Sequence, residues 1–135
     1  MNKKYMAEAI KQAEIAYKKN EVPVGAVIVK DDKIISKGYN TIEKSKDSTN
    51  HAEIIAIKKA SKKLKNWRLI DCDLYVTLEP CEMCTGAINA SRIKNVYYLT
   101  SRKEKFVQQT KFNKMTFEEK EYLNLLQNFF KEKRR

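Results

Sequence analysis

Ten residues, TLEPCEMCTG from Thr77 to Gly86, constrain this chain more than any other stretch. The apolar run DLYVTLE, Asp73 to Glu79, reads as a strand, and it stops at Pro80. Proline cannot donate to a sheet ladder but suits the first position of a helix, so Pro80 to Ala90 reads as a short helix entered directly from the strand. Cys81 and Cys84 then stand at i and i+3 on the first turn, with both sulfurs turned to one side. A helix N-terminus adds partial positive charge and free N–H groups, which favour thiolates. That is half of a zinc site, although the same spacing is open to a thioredoxin-like redox pair.

The chain's single histidine supplies a third donor. His51 opens a helix predicted from His51 to Leu64, with Asn50 or Thr49 as its cap, and Glu53 follows two residues later. A His-Cys-Cys set leaves one tetrahedral position of a zinc ion open, which marks a catalytic site. Zinc lowers the pKa of bound water to about 7, and a nearby carboxylate can take that proton and pass it on. The expectation is therefore one Zn2+ per chain on His51, Cys81 and Cys84, with Glu53 as the catalytic base. Glu79 and Glu82 are nearer in sequence to the cysteines, but one ends a strand and the other points elsewhere on its helix.

Around this centre the periodicity predicts an amphipathic helix from Tyr5 to Lys19 and a hairpin of Val24 to Val29 with Ile34 to Asn40. Thr41 to Asn50 reads as a loop, Asn95 to Thr100 as a fourth strand, and Phe117 to Lys131 as a closing helix. Strands alternating with helices predict α/β layering. With 135 residues and 42% hydrophobic content the chain suits one domain with one core.

Three cysteines cannot all pair within the chain, and MNKKYMAEAIKQAEIAY breaks every apolar run with charge or Gln, so a reducing, cytoplasmic compartment is expected. No apolar run reaches the length of a membrane span. The net charge of +11 points towards a polyanion. From Ile54 to Ile70 there is no acidic residue, while Lys58, Lys59, Lys62, Lys63, Lys65 and Arg68 sit with Trp67 among them; a solvated helix face and a nucleic-acid contact both fit.

His-x-Glu together with Pro-Cys-x-x-Cys resembles the signature of the zinc-dependent nucleobase deaminases. The segments NEVPVGAVIVKDDKIISKGYN, STNHAEIIAI, NWRLIDCDLYVTLEPCEMCTGAINASRI and QNFFKEKRR resemble, further, the bacterial tRNA adenosine deaminases, which belong to the cytidine/deoxycytidylate deaminase superfamily. The resemblance implies a cytidine-deaminase-like three-layer α/β/α sandwich around a mixed five-stranded sheet, filling residues 1–135 as one zinc-dependent deaminase domain. The fifth strand would have to fall within Phe106 to Met115. It also implies attack of hydroxide on C6 of adenine at wobble position 34, with Glu53 protonating N1 and then the departing amine. Asn40 would hydrogen-bond the base, Val24 and Pro23 would line the pocket wall, and the Ala52 backbone N–H would face the base edge. Partners implied are a tRNA anticodon stem-loop, gripped in part by Phe130 and the basic C-terminus, and a second copy in a homodimer.

The chain departs from that family in the segment after Thr100, which is shorter and reads TSRKEKFVQQTKFNKM, and at Ser48, where a proline is expected. Two rival readings keep the zinc: a deaminase of free nucleobases or nucleosides, and a non-catalytic zinc-stabilised RNA-binding module. The positive charge and the C-terminal Phe129-Phe130 argue against the first, and Glu53 against the second, because a structural zinc needs a fourth ligand and no base.

Overall fold

A computed structural model describes residues 2–102 and 111–133. The first helix, α1 (Lys3–Lys18), is capped by Asn2, whose side chain accepts the Lys4 N–H at 2.8 Å. Its apolar positions Met6, Ala9, Ala13 and Ala16 fall on one face and are fully buried. Then come β1 (Gly25–Lys30), β2 (Lys33–Tyr39), the four-residue α2 (Ile42–Ser45), α3 (Ala52–Leu64), β3 (Asp73–Leu78), α4 (Glu82–Ala90), β4 (Asn95–Thr100), β5 (Lys111–Lys114) and α5 (Glu119–Lys133).

The strands form one mixed sheet in the order β2-β1-β3-β4-β5. β1 runs antiparallel to both β2 and β3, whereas β3, β4 and β5 are parallel, joined through α4 in the first crossover. β1, apolar and buried on both faces up to Lys30, therefore lies inside the sheet. The expected fifth strand is present at the end of its window, pairing Asn95 with Lys111 and Tyr98 with Lys114. Residues 106–110 of that window lie outside the described residues.

Each face of the sheet has its own core. One gathers Ala26, Ile28, Leu74, Val76 and Val96 under α3 and α4, with the fully buried Cys72 among them as a small apolar residue. The other gathers Val27, Tyr75 and Leu99 under α1 and α5. The three layers implied by the resemblance are thus observed. Two glycines set how closely the layers approach. A Cβ on Gly25 would lie 2.0 Å from the Ala9 carbonyl oxygen in α1, and one on Gly38 would lie 2.5 Å from the Ala52 carbonyl oxygen in α3. The hairpin is thereby pressed against the first turn of α3, where the candidate site begins.

Three local expectations are corrected. α3 starts at Ala52 with His51 as its N-cap, because Asn50 gives its Nδ2 to Ser45 Oγ and Thr49 gives its hydroxyl to Asp47. α4 starts at Glu82 with Cys81 as its N-cap, so Pro80 precedes the helix and does not occupy its first position. Inside the segment read as loop, α2 forms one turn. It is held by Glu21, a buried acid whose two carboxylate oxygens accept the N–H groups of Glu43 and Lys44 at 3.0 and 2.9 Å. No helix of the described residues is long and apolar enough to cross a membrane.

Candidate metal centre and active site

Antiparallel and parallel pairing bring four chain ends to one rim of the sheet. Gly25 pairs with Tyr39 and Leu78 with Thr100, so Val24, Asn40, Leu78 and Arg102 all stand just beyond the same edge. The N-termini of α3 and α4 open at that rim. His51 and Cys81 hold matching posts there, each an N-cap with extended backbone, and neither side chain makes the capping hydrogen bond. Their carbonyls begin the helices, accepting from Ile55 and Thr85 at 3.1 and 2.8 Å, while their side chains turn towards one another.

His51 Nδ1 lies 3.7 Å from Cys81 Sγ and 3.5 Å from Cys84 Sγ. A zinc ion with sulfur at about 2.3 Å and nitrogen at about 2.0–2.1 Å spaces tetrahedral S and N ligands about 3.6 Å apart. The observed separations fit that geometry. Among the described residues, this trio alone brings three such ligand atoms within 4.8 Å of one another. The group is positioned to bind one metal ion, and it has three donors, not four. With no ion between them the two sulfurs share one proton: the hydrogen bond from the Cys84 thiol lowers the Cys81 pKa to about 5, with help from the Cys84 backbone N–H and from His51, while burial opposes it. That same bond and burial raise Cys84. All three cysteines are free.

Beside the trio is a cavity of about 180 Å³ lined by Val22, Val24, Asn40, Ile42, His51, Glu53, Leu78 and Arg102. Glu53, on the first turn of α3, is 3% exposed, and burial raises its pKa, partly opposed by a hydrogen bond to its own backbone. Asn40 is also buried, and its Oδ1 accepts the Ala52 N–H at 2.7 Å, which fixes the amide plane.

Of the residues singled out in the sequence, His51, Glu53, Cys81, Cys84, Asn40 and Val24 come together here. Pro23 is fully buried behind the wall, and Val22 takes the cavity-facing place. The Ala52 N–H is spent on Asn40, so it does not face the cavity as expected. Phe130 is 45% exposed while Phe129 is buried. Phe130 lines a second, larger cleft of about 620 Å³ with Lys19 and Lys44, and Val22 and Ile42 line both hollows.

Glu82 is exposed and faces solvent. Glu79 is buried but committed, accepting the Arg102 N–H on Oε1 at 2.8 Å and the Arg102 Nε–H on its carbonyl at 2.7 Å. Arg102 and Leu78 escaped the sequence reading: Arg102 lies outside every motif, Leu78 within TLEPCEMCTG reads only as a strand residue, and the register of β3 with β4 brings both to the rim.

The pattern for the cytidine and deoxycytidylate deaminase zinc-binding region matches residues 1–100. A tRNA-specific adenosine deaminase of Rickettsia bellii (strain RML369-C) is 57% identical over 95 residues, which span 69% of this chain and 66% of that protein. A solved structure from a study of A-to-I editing by tRNA:A34 deaminases at the wobble position is 32% identical, with a TM-score of 0.86 over 93% of this chain and 100% of that one. A guanine deaminase structure from Bacillus subtilis is 33% identical, with a TM-score of 0.71 over 95% of each chain. With a five-stranded mixed sheet, a three-donor trio and a matched pattern over its first hundred residues, this chain belongs to the cytidine and deoxycytidylate deaminase family.

Proposed function

We propose that the chain hydrolyses adenosine to inosine at the wobble position, 34, of a tRNA anticodon loop. One observation carries this reading: the buried Glu53 carboxyl shares its cavity with His51 and Asn40, beside two cysteine sulfurs, in a chain with relatives named for that reaction. His51, Cys81 and Cys84 would hold one Zn2+, which when bound acts as a Lewis acid that brings a water to a pKa near 7.

Glu53 takes the proton of the attacking water on a carboxylate oxygen and delivers it to N1 of the purine. The same carboxylate then takes the proton left on the hydroxyl now at C6 and gives it to the departing amine. The water oxygen stays on C6 and ammonia departs, so adenosine and water balance inosine and ammonia. Asn40, with Oδ1 tied to Ala52, keeps Nδ2 for the base. Val24, Val22, Ile42 and Leu78 enclose the ring, and Pro23 backs that wall. Only a flipped base enters so small a cavity, and its flanking nucleotides then lie in the adjoining cleft against Phe130, Lys19 and Lys44.

The same reading takes residues 1–135 as one catalytic domain and places it with its substrate in the cytoplasm. It also carries a homodimer, which sedimentation of the purified chain tests. The decisive assay offers a tRNA with adenosine at position 34 and looks for inosine there. Likeness to a guanine deaminase favours a second reading, a free purine base as substrate. Brisk turnover of free guanine or adenine with an untouched tRNA would establish it instead.

A further inference from the structure

Far from the candidate site, at the C-terminal ends of α3 and α4, an indole stands in solvent with two guanidinium groups against it. Trp67 is 52% exposed. The Arg68 guanidinium carbon lies 4.3 Å from its ring centroid and that of Arg92 lies 5.6 Å away. The support is rigid. Leu69, fully buried, donates its N–H to the Ser91 carbonyl at 2.7 Å, and the Arg68 N–H bonds Asn66 Oδ1 at 3.0 Å. Arg92 is anchored by Nη1 to the carbonyls of Asn89 and Ala90 at 3.1 and 3.0 Å. Among the described residues no ion pair joins either arginine to a carboxylate. Lys62, Lys63 and Lys65, all exposed, surround the end of α3.

We infer that Trp67, Arg68 and Arg92 form a phosphate clamp for an RNA strand, separate from the deaminase site. Guanidinium groups stacked on an aromatic face are held in place; Arg68 keeps its N–H edges for phosphate oxygens, and Arg92, with Nη1 given to two carbonyls, keeps its Nε–Nη2 edge for a paired contact. Trp67 is thus a positioning residue, exposed because its task is to pre-order two cations. Charge selects the occupant. A second copy of the chain would bring an equally basic patch against this one, whereas a polyanion meets complementary charge over the whole acid-free stretch from Ile54 to Ile70. The 13 residues of α3 separate the clamp from the catalytic rim by about 20 Å. Only an RNA that extends that far beyond its target nucleotide engages both.

This inference requires RNA binding but no deamination, so binding is its readout. Affinity of the full-length protein is measured against salt for a whole tRNA transcript and for an oligonucleotide of the anticodon loop alone, in the wild type, Arg68→Gln, Arg92→Gln and Trp67→Leu. Each arginine variant is expected to weaken whole-tRNA binding about tenfold and to flatten the log–log salt slope by about 0.9, the share of one duplex phosphate. Trp67→Leu should weaken it about threefold, a fraction of one such contact, with the slope unchanged. Binding of the loop oligonucleotide and zinc content should stay at wild-type values in all three.

Unchanged whole-tRNA affinity and slope in Arg68→Gln, a change at an exposed position, overturns the clamp. So does an equal loss on both RNAs, or a loss that merely follows dissociation of a dimer. Retention on anionic lipid vesicles that disappears in Arg68→Gln, with RNA binding intact, would assign the patch to membranes instead. Length-dependent loss in a protein that makes no inosine on either RNA would keep the clamp and sink the deaminase reading.

Discussion

Two hollows lie at opposite ends of the same sheet, and the larger one is the poorer candidate. At the far end, Asp31, Asp32, Asp71 and Asp73 ring a hollow of about 370 Å³ with Asn2, Tyr5 and Tyr75. Three of those carboxylates are exposed and the fourth, Asp73, accepts a bond from Asn95 at 3.1 Å. They do not converge on a point as the His51, Cys81 and Cys84 donors do within 4.8 Å. At the rim, the cavity is half that volume, yet its polar groups are buried or half-buried and held in place: Asn40 by Ala52, Arg102 by Glu79, and the neighbouring α2 by Glu21. Size and formal charge do not make a site. Convergence of polar atoms held by other polar atoms does.

Perturbing the two ends tests that contrast, and the largest effect belongs to the trio. His51→Ala or Cys84→Ala should leave a two-donor group, and zinc measured by metal analysis should fall from one per chain towards none. Inosine formation should drop at least about 10⁴-fold, since the acidified nucleophile is lost with the metal. A stoichiometric metal in either variant would mean that the donors are elsewhere. Next comes Glu53→Ala, which should keep zinc and fold while losing about 10²- to 10⁴-fold in turnover, as a proton shuttle typically contributes. Glu82→Ala, one exposed carboxylate in the same neighbourhood, serves as its control and should stay within about threefold of wild type, like other surface changes.

Glu79→Ala comes third. It removes the acceptor of the Arg102 N–H and should cost about 1–3 kcal/mol in urea unfolding, because a part-buried donor loses a charged acceptor. Smallest of all are the far-end changes. Asp71→Asn and Asp31→Asn should shift stability by less than about 0.5 kcal/mol and leave both zinc and turnover alone. A far-end variant that abolished inosine formation would break the comparison.

What was legible in the sequence was whatever local spacing encodes. His51 with Glu53, and Cys81 with Cys84, lie within one helical turn of each other, so a single helix N-terminus explains each pair. Four of the five helices and four of the five strands carry period and length enough to be seen. Asn40 and Val24 came from resemblance and were found at the rim. Arg102, Leu78 and Ile42 were invisible because no local pattern marks them; the first two reach the site only through sheet register and the third through a helix too short to show a period. Glu21 gave no signal either, since a lone acid between a helix and a strand looks like surface until its two backbone donors are known. The misplacement of Pro23 was one of side-chain alternation: the neighbouring Val22 faces inwards. The Ala52 N–H went to a competitor the sequence does not rank, for many acceptors can claim a donor in a helix's first turn.

His51 and Cys81 occupy N-cap posts without capping, and this gives the metal a mechanical part beyond its chemistry. Two helices that share a core but begin on unfilled caps would gain, from one ion held between their first side chains, a further tie at their N-terminal ends. An ion that binds the folded chain and not the unfolded one adds stability that grows with its free concentration. Zinc supply then sets how much of this protein persists, as well as how fast it works. A cell short of the metal would lose chains to proteolysis, because a raised unfolded fraction is what its proteases act on. Turnover of the protein followed in zinc-depleted and zinc-replete cells should therefore differ, with faster loss where the metal is scarce.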